Sequence, residues 1–204
     1  DTNNNTIRKI HISSGQVTTL AGTPGTFGST DGIGVAASFI FPSAITTDGT
    51  NLYVTSNFTI RRIVISTGEV TTLAGAPGTP GSVDGIGNSA RFDQLHGITT
   101  DGTNLFVSGD ATIRKIEIST GVVTTLAGST GNYGSIDGIG SSSRFNAPGN
   151  ITTDGVNLFV PDITNNTIRK ILISTGEVST IAGTAGTFGS SDGIGTAASF
   201  NYPQ

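Results

Sequence analysis

The stretch ITTDGTNLYVTSNFTIRRIVISTGEVTTLAG, residues 45–75, decides how this chain folds. It holds four short runs rich in Ile, Val, Thr and Tyr, separated by Asp-Gly, Asn and Thr-Gly. β-Branched and aromatic side chains suit a pleated surface, while Gly, Asn and Asp suit tight turns. The pattern predicts strands at Ile45–Thr47, Asn51–Val54, Thr59–Ser66 and Glu69–Ala74. Asp48-Gly49 closes the first hairpin, and Ser66-Thr67-Gly68 joins the last two strands.

The unit recurs through nearly the whole chain. TIRKI or TIRRI begins at Thr6, Thr59, Thr112 and Thr167, in steps of 53, 53 and 55 residues. VTTLAG starts at Val17, Val70 and Val123, and VSTIAG at Val178; ITTDG starts at Ile45, Ile98 and Ile151. A four-stranded unit of this length with one long connector is how a propeller blade reads, whereas solenoid repeats are shorter. The expected fold is all-β: a β-propeller of four-stranded antiparallel blades, about three and a half to four of them. Residues 1–204 would form one propeller domain or a segment of a larger one, with units starting near residues 6, 59, 112 and 167.

Composition agrees. Of 204 residues, 12% are charged and 30 are glycine. Net charge is −4, which argues against nucleic acid or an anionic membrane as a main partner. No apolar run has the length of a membrane span. With no cysteine there is neither a disulfide framework nor thiolate chemistry. Methionine is also absent, so Asp1 is not expected to be a translation start.

The string A-x-F-x-x-P, I-x-x-D-G-x-N-L-Y/F-V, N-x-T-I-R-K-I and T-G-x-V-T-T-L-A-G resembles bacterial NHL-repeat β-propellers. Ala37-Ser38-Phe39 with Pro42, Ser143-Arg144-Phe145 with Pro148, and Ala198-Ser199-Phe200 with Pro203 carry the first part. The second copy departs, with Leu95 in the proline position. The resemblance implies rings that usually have six blades. Here an inner hairpin is missing from four complete repeats, so two expectations arise. Either the chain belongs to a larger propeller, which the missing methionine favours, or copies complete a ring or pair blade edges as a homo-oligomer.

The connector raises the question of a ligand. GSTDGIGVAASF (28–39) returns as GSVDGIGNSARF (81–92), GSIDGIGSSSRF (134–145) and GSSDGIGTAASF (189–200). Calcium needs six to eight oxygens, and each copy supplies one carboxylate: Asp31, Asp84, Asp137 or Asp192. No lysine follows for a phosphate loop. The structural reading is stronger. Asp accepts backbone N–H groups at the start of a short helical turn such as Val35–Phe39, glycines take positive φ, and Phe39, Phe92, Phe145 and Phe200 plug between blades. The first basic residue of each third strand is always Arg: Arg8, Arg61, Arg114 and Arg169. A planar, multi-donor group suits a contact across blades, and the connector Asp is its candidate partner. No cofactor or metal is expected.

Function should lie where copies differ on a fixed scaffold. The turn after the second strand varies around Asn57, Asp110 and Asp162. The mid-connector aromatic position reads Phe27, Pro80, Tyr133 and Phe188. His96 and Asn150 lie near the start of inner strands, close to a propeller's channel. Together these define one loop face suited to protein or carbohydrate, and a non-catalytic binding or scaffold role. The alternatives are a self-assembling surface protein and a piece of a metal-dependent lyase or hydrolase. One histidine makes neither a metal site nor a triad, so no enzyme is expected. The Thr/Ser/Gly/Asn richness without cysteine resembles exported bacterial repeat proteins, which implies the periplasm or cell surface.

Overall fold

The computed structural model describes residues 1–204. An outer hairpin, Ile7–Ile10 with Val17–Ala21, comes first. Three blades follow. Blade one consists of Pro42–Thr47, Asn51–Ser56, Thr59–Val64 and Glu69–Gly75. Blade two consists of Leu95–Thr100, Asn104–Gly109, Thr112–Glu117 and Val122–Gly128. Blade three consists of Thr152–Thr153, Asn157–Asp162, Thr167–Leu172 and Glu177–Ala182. All neighbouring strands are antiparallel, as in a β-propeller.

Local chemistry sets each hairpin. Asp48 Oδ1 accepts the backbone N–H groups of Thr50 and Asn51 at 2.8 and 2.7 Å, while Gly49 takes φ +90°. Asp101 and Asp154 repeat the turn. Burial acts to raise the Asp48 carboxyl, but donors from Asn51, Tyr53 and Thr50 outweigh it and hold the group well below the usual carboxylate range. Burial first, and then Asp48, pushes the Tyr53 hydroxyl up to about 12.

The apolar cores lie between blades. Ile7, Ala21 and Phe39 pack on Val54, Ile63 and Val70 of blade one. Tyr53, Ile60 and Phe92 pack on Ile98, Val107 and Ile116 of blade two. Phe106, Ile113 and Phe145 pack on Val160, Ile171 and Val178 of blade three. A glycine at or just after the end of each outer strand lets the plugging phenylalanine approach. At Gly128, φ is +87°, and a Cβ would sit 2.2 Å from the Ala111 carbonyl oxygen and 3.0 Å from Phe145. Gly128→Ala is expected to cost about 2–4 kcal/mol, from strain plus overpacking. Gly131→Ala, at φ +70° in open space, is expected to cost about 1 kcal/mol. Urea unfolding of the two variants separates them.

The structure departs from the sequence expectation in several places; the second and fourth strands of blade one run on to Ser56 and Gly75. Each of the three blades has a fifth, two-residue strand from the preceding connector: Gly32–Ile33, Gly85–Ile86 or Gly138–Ile139, paired to the outermost strand. Two residues are too few to show a period in sequence. The inner strand of blade one starts at Pro42 rather than Ile45, because an irregularity between those residues lets pairing resume. The third strand stops at Val64, where Ile65 turns to donate its N–H to Thr50. The helical turn is Gly34–Ala36, and Ile33 rather than the acidic side chain stands at its start. Asp31 is committed elsewhere.

Candidate functional site

Two sets of repeat residues converge, one inside the fold and one on its rim. The inner set joins blades. Arg61 is buried, with Nη1 donating to the Ser38 carbonyl at 2.9 Å and Nη2 donating to the Thr30 carbonyl at 3.0 Å and to Asp31 Oδ1 at 2.8 Å. Its guanidinium lies 5.2 Å from the Phe39 ring centroid. Burial, offset in part by Asp31, holds the Arg61 pKa below its ordinary value. Asp31 also accepts the Thr72 N–H and hydroxyl at 3.1 and 3.0 Å. One connector is thus pinned to the next blade by charge, backbone and ring.

Arg114 with Asp84 and Phe92, and Arg169 with Asp137 and Phe145, repeat the arrangement. The outlying copies differ. Arg8 reaches only Asp1, at 3.5 Å, and Asp192 has no basic partner.

Register fixes the outer set. In blade one, Pro42 pairs with Ser56, Ser56 with Thr59, and Thr59 with Gly75. The turn at Asn57-Phe58 and both ends of the connectors therefore emerge at one end of the sheet. Here Phe27 and Phe41 meet edge to face, with centroids 5.6 Å apart, and both are exposed. Phe41 takes φ +45°, a strained conformation for a bulky residue. Asn5 Oδ1 accepts its N–H at 2.9 Å, and Thr2 donates to the Pro42 carbonyl at 2.7 Å. Beside the pair runs a shallow groove of about 320 Å³ lined by Thr2, Ser43, Asn57, Phe58, Asp93 and Gln94, among others.

The aromatic corner has a second copy. Phe188 bridges to Phe200 as Phe27 bridges to Phe39, and Asn166 Oδ1 accepts the Tyr202 N–H at 2.9 Å. Tyr202 also has positive φ, as do Gln94 and Ala147 at the same position of the other repeats. Sequence reasoning missed this corner. The available signal was a variable residue, Phe41, Gln94, Ala147 or Tyr202, two places after an unvarying phenylalanine.

Of the proposed face residues, Phe27, Tyr133, Phe188 and Asn150 are exposed, and Asn57 and Asp110 are half-buried. Burial and Asp93 push the Asp110 carboxyl above its ordinary value, against donors from Ser82 and Thr130. His96 is half-buried, with Nδ1 2.8 Å from the Pro148 carbonyl, so it ties the second inner strand to the third repeat. Asp162 corrects the expectation: it has no exposed surface and so offers nothing to a partner at this face. It accepts from Asn146 N–H at 2.7 Å, and from Asn165 Nδ2 and Arg169 Nη1 at 2.8 Å each. Burial raises its carboxyl above the ordinary value despite these donors. A polar residue in a variable turn is indistinguishable in sequence from one folded back under an arginine.

No protein-family model matches the chain. Its sequence is similar to NHL repeat-containing protein 2 of Bos taurus, 37% identical over 136 residues, covering 59% of this chain and 18% of that protein. The human protein of the same name is 32% identical over 136 residues, covering 60% and 19%. The matched stretch is thus under a fifth of these relatives. Among solved structures, an auxiliary nutrient binding protein from Bacteroides thetaiotaomicron superposes with a TM-score of 0.70 at 18% identity, over all of this chain and 48% of the other. A catalytically inactive virginiamycin B lyase from Staphylococcus aureus gives 0.55 at 18%, over 87% and 48%. The repeats of this chain are similar to a stretch of NHL repeat-containing protein 2, and its fold is that of a β-propeller.

Proposed function

We propose that residues 1–204 act as one non-catalytic binding unit, contacting protein or carbohydrate through the loop face that carries Phe27 and Phe41. The observation that carries this reading is the exposed aromatic pair held on a strained backbone beside a polar groove. Strain of this kind persists only where surrounding structure enforces it, and it clusters at ligand-contacting positions. Rigid aromatics flanked by amide, carboxylate and hydroxyl groups give contact area at low entropic cost. Such a wall suits the apolar face and hydroxyls of a sugar ring, and equally a peptide with polar side chains. A similar solved structure is an auxiliary nutrient binding protein, which supports a binding role.

Of Ser43, His96, Gly149 and Gln204, which occupy the same position of successive repeats at or before the inner strand, only His96 is titratable. That supports binding over catalysis. No helix is long and apolar enough to cross a membrane. The periplasm or cell surface fits the composition.

The test is a binding screen against an oligosaccharide array and an immobilised peptide library, with wild type and a Phe27→Ala/Phe41→Ala variant. Wild type is expected to retain ligands of one class, and the variant to bind them at least about tenfold more weakly, the size of effect expected for a central aromatic contact. Equal binding by both proteins would refute the assignment of this face.

A further inference from the structure

The groove beside Phe41 lies where blade one meets blade two, and both of these blades hold all their strands. The turn of blade one supplies Asn57 and Phe58, and the end of the connector into blade two supplies Asp93 and Gln94. Phe41 is exposed at φ +45°; Gln94, at the same position of the next repeat, is exposed at φ +44°. The open corner is thus built by both repeats that meet in the groove.

Its chemistry is selective. The hydroxyls of Thr2 and Ser43 are already committed, to the Pro42 carbonyl and to Thr55. The side chains of Asn57, Asp93 and Gln94 have no hydrogen-bond partner within the chain. They form a set of two amides, which donate and accept, and one carboxylate, which only accepts. Phe41 and Phe58 add flat apolar rings to the same wall. No lysine, arginine or histidine lines the groove. In the adjoining cleft, burial and the Asp93 charge together push the Asp110 carboxyl up, and Arg114 beneath is paired with Asp84. The local field is therefore negative and disfavours an anion. A volume of about 320 Å³ falls at the lower end of the range for small-molecule sites, roughly 300–1,000 Å³.

Building on the binding role proposed above, we infer that the groove holds one uncharged sugar ring of an oligosaccharide, with neighbouring hydroxyls donating to Asp93. Two such hydroxyls match the two oxygens of a carboxylate and in turn accept from the amides of Asn57 and Gln94, so every free polar group is used. The C–H face of the ring covers a phenylalanine of the wall. An ammonium-bearing peptide would satisfy Asp93 but leave both amides idle. The same sugar oxidised to a uronate would bring a second carboxylate against Asp93, which costs binding.

Isothermal titration calorimetry at low ionic strength tests this with gluco-, manno- and galacto-oligosaccharides, their uronic-acid counterparts and the peptide library described above. At least one neutral oligosaccharide is expected to bind, and its uronic-acid counterpart to bind at least about tenfold more weakly. Asp93→Asn, which keeps the shape of a side chain that makes no bond in the fold, is expected to weaken the neutral sugar at least about tenfold with the melting temperature unchanged. The same variant is expected to narrow the preference over the uronate, because the repelling charge has gone. Phe58→Leu, which keeps apolar bulk but removes the ring face, is expected to weaken binding several-fold. No binding of any neutral sugar would overturn the inference, as would a sugar held equally well by Asp93→Asn or a uronate held as tightly as its neutral form. Peptides bound by wild type and lost in Phe27→Ala/Phe41→Ala, with no sugar bound, would overturn this inference and leave the binding face standing. Ligands of neither kind would remove both.

Discussion

Replacing Arg169 by alanine is expected to cost about 3–5 kcal/mol, and the loss is expected to shrink as the pH is lowered. Arg169 is fully buried and bridges two carboxylates, Asp137 at 2.7 Å and Asp162 at 2.8 Å. Asp137 is half exposed and can rehydrate when its partner goes; Asp162 has no exposed surface and cannot. The variant therefore leaves a buried carboxylate without its cation. Burial already lifts the Asp162 pKa above its unfolded value, and removing the cation lifts it further. A carboxyl with a raised folded pKa takes up a proton on folding, so its penalty is present at neutral pH. That penalty is relieved as the pH falls through the folded value. The deficit should thus narrow from neutral pH toward the ordinary carboxylate range. Arg61→Ala leaves one carboxylate, the half-exposed Asp31, and two carbonyls, of Ser38 and Thr30, without their donor, and is expected to cost about 1–3 kcal/mol with little such dependence. Urea denaturation at several pH values distinguishes them. Equal losses, or a deficit at Arg169 that grows in acid, would contradict the assignment of Asp162.

Phe92→Ala is the second large effect, expected at about 3–5 kcal/mol. Phe92 is buried in the ten-residue core between blades one and two, 5.3 Å beneath the Arg114 guanidinium. Truncation removes the plug and also the face on which the cation sits. In a repeat array each unit depends on its neighbours through such interfaces. The loss should therefore appear as weakened coupling, with blade one exchanging its amide hydrogens sooner than blade three. Hydrogen exchange read by mass spectrometry resolves this. Phe27→Ala, on the exposed face, is expected to change stability by no more than about 0.5 kcal/mol. A similar loss at both positions would show that the plug is not what joins the blades.

The blades are legible in sequence because one physical pattern, β-branched runs cut by Asp-Gly and Thr-Gly, is written out repeatedly. The pairing of Arg61 with Asp31 can be reasoned from an arginine that never varies and an aspartate at a near-constant offset. The Gly-Ile strand could not be read, since its pairing is decided by the outer strand of the following blade. Asp162 misled because burial is set by tertiary packing and not by residue type. The Phe41 corner was hidden for a related reason. Asn5, 36 residues away, holds its N–H, and no local propensity favours that backbone.

The DGIG connector invited a calcium reading, and its geometry supports a staple between blades. One measurement separates the two: the melting temperature of wild type and Asp84→Asn, each in calcium and in chelator. If Asp84 serves Arg114 and Thr125, the variant melts about 2–6 °C lower, equally in both conditions, and wild type is indifferent to calcium. A wild-type melting temperature that climbs with calcium, with the rise lost in Asp84→Asn, would contradict the staple and make the loop a metal site.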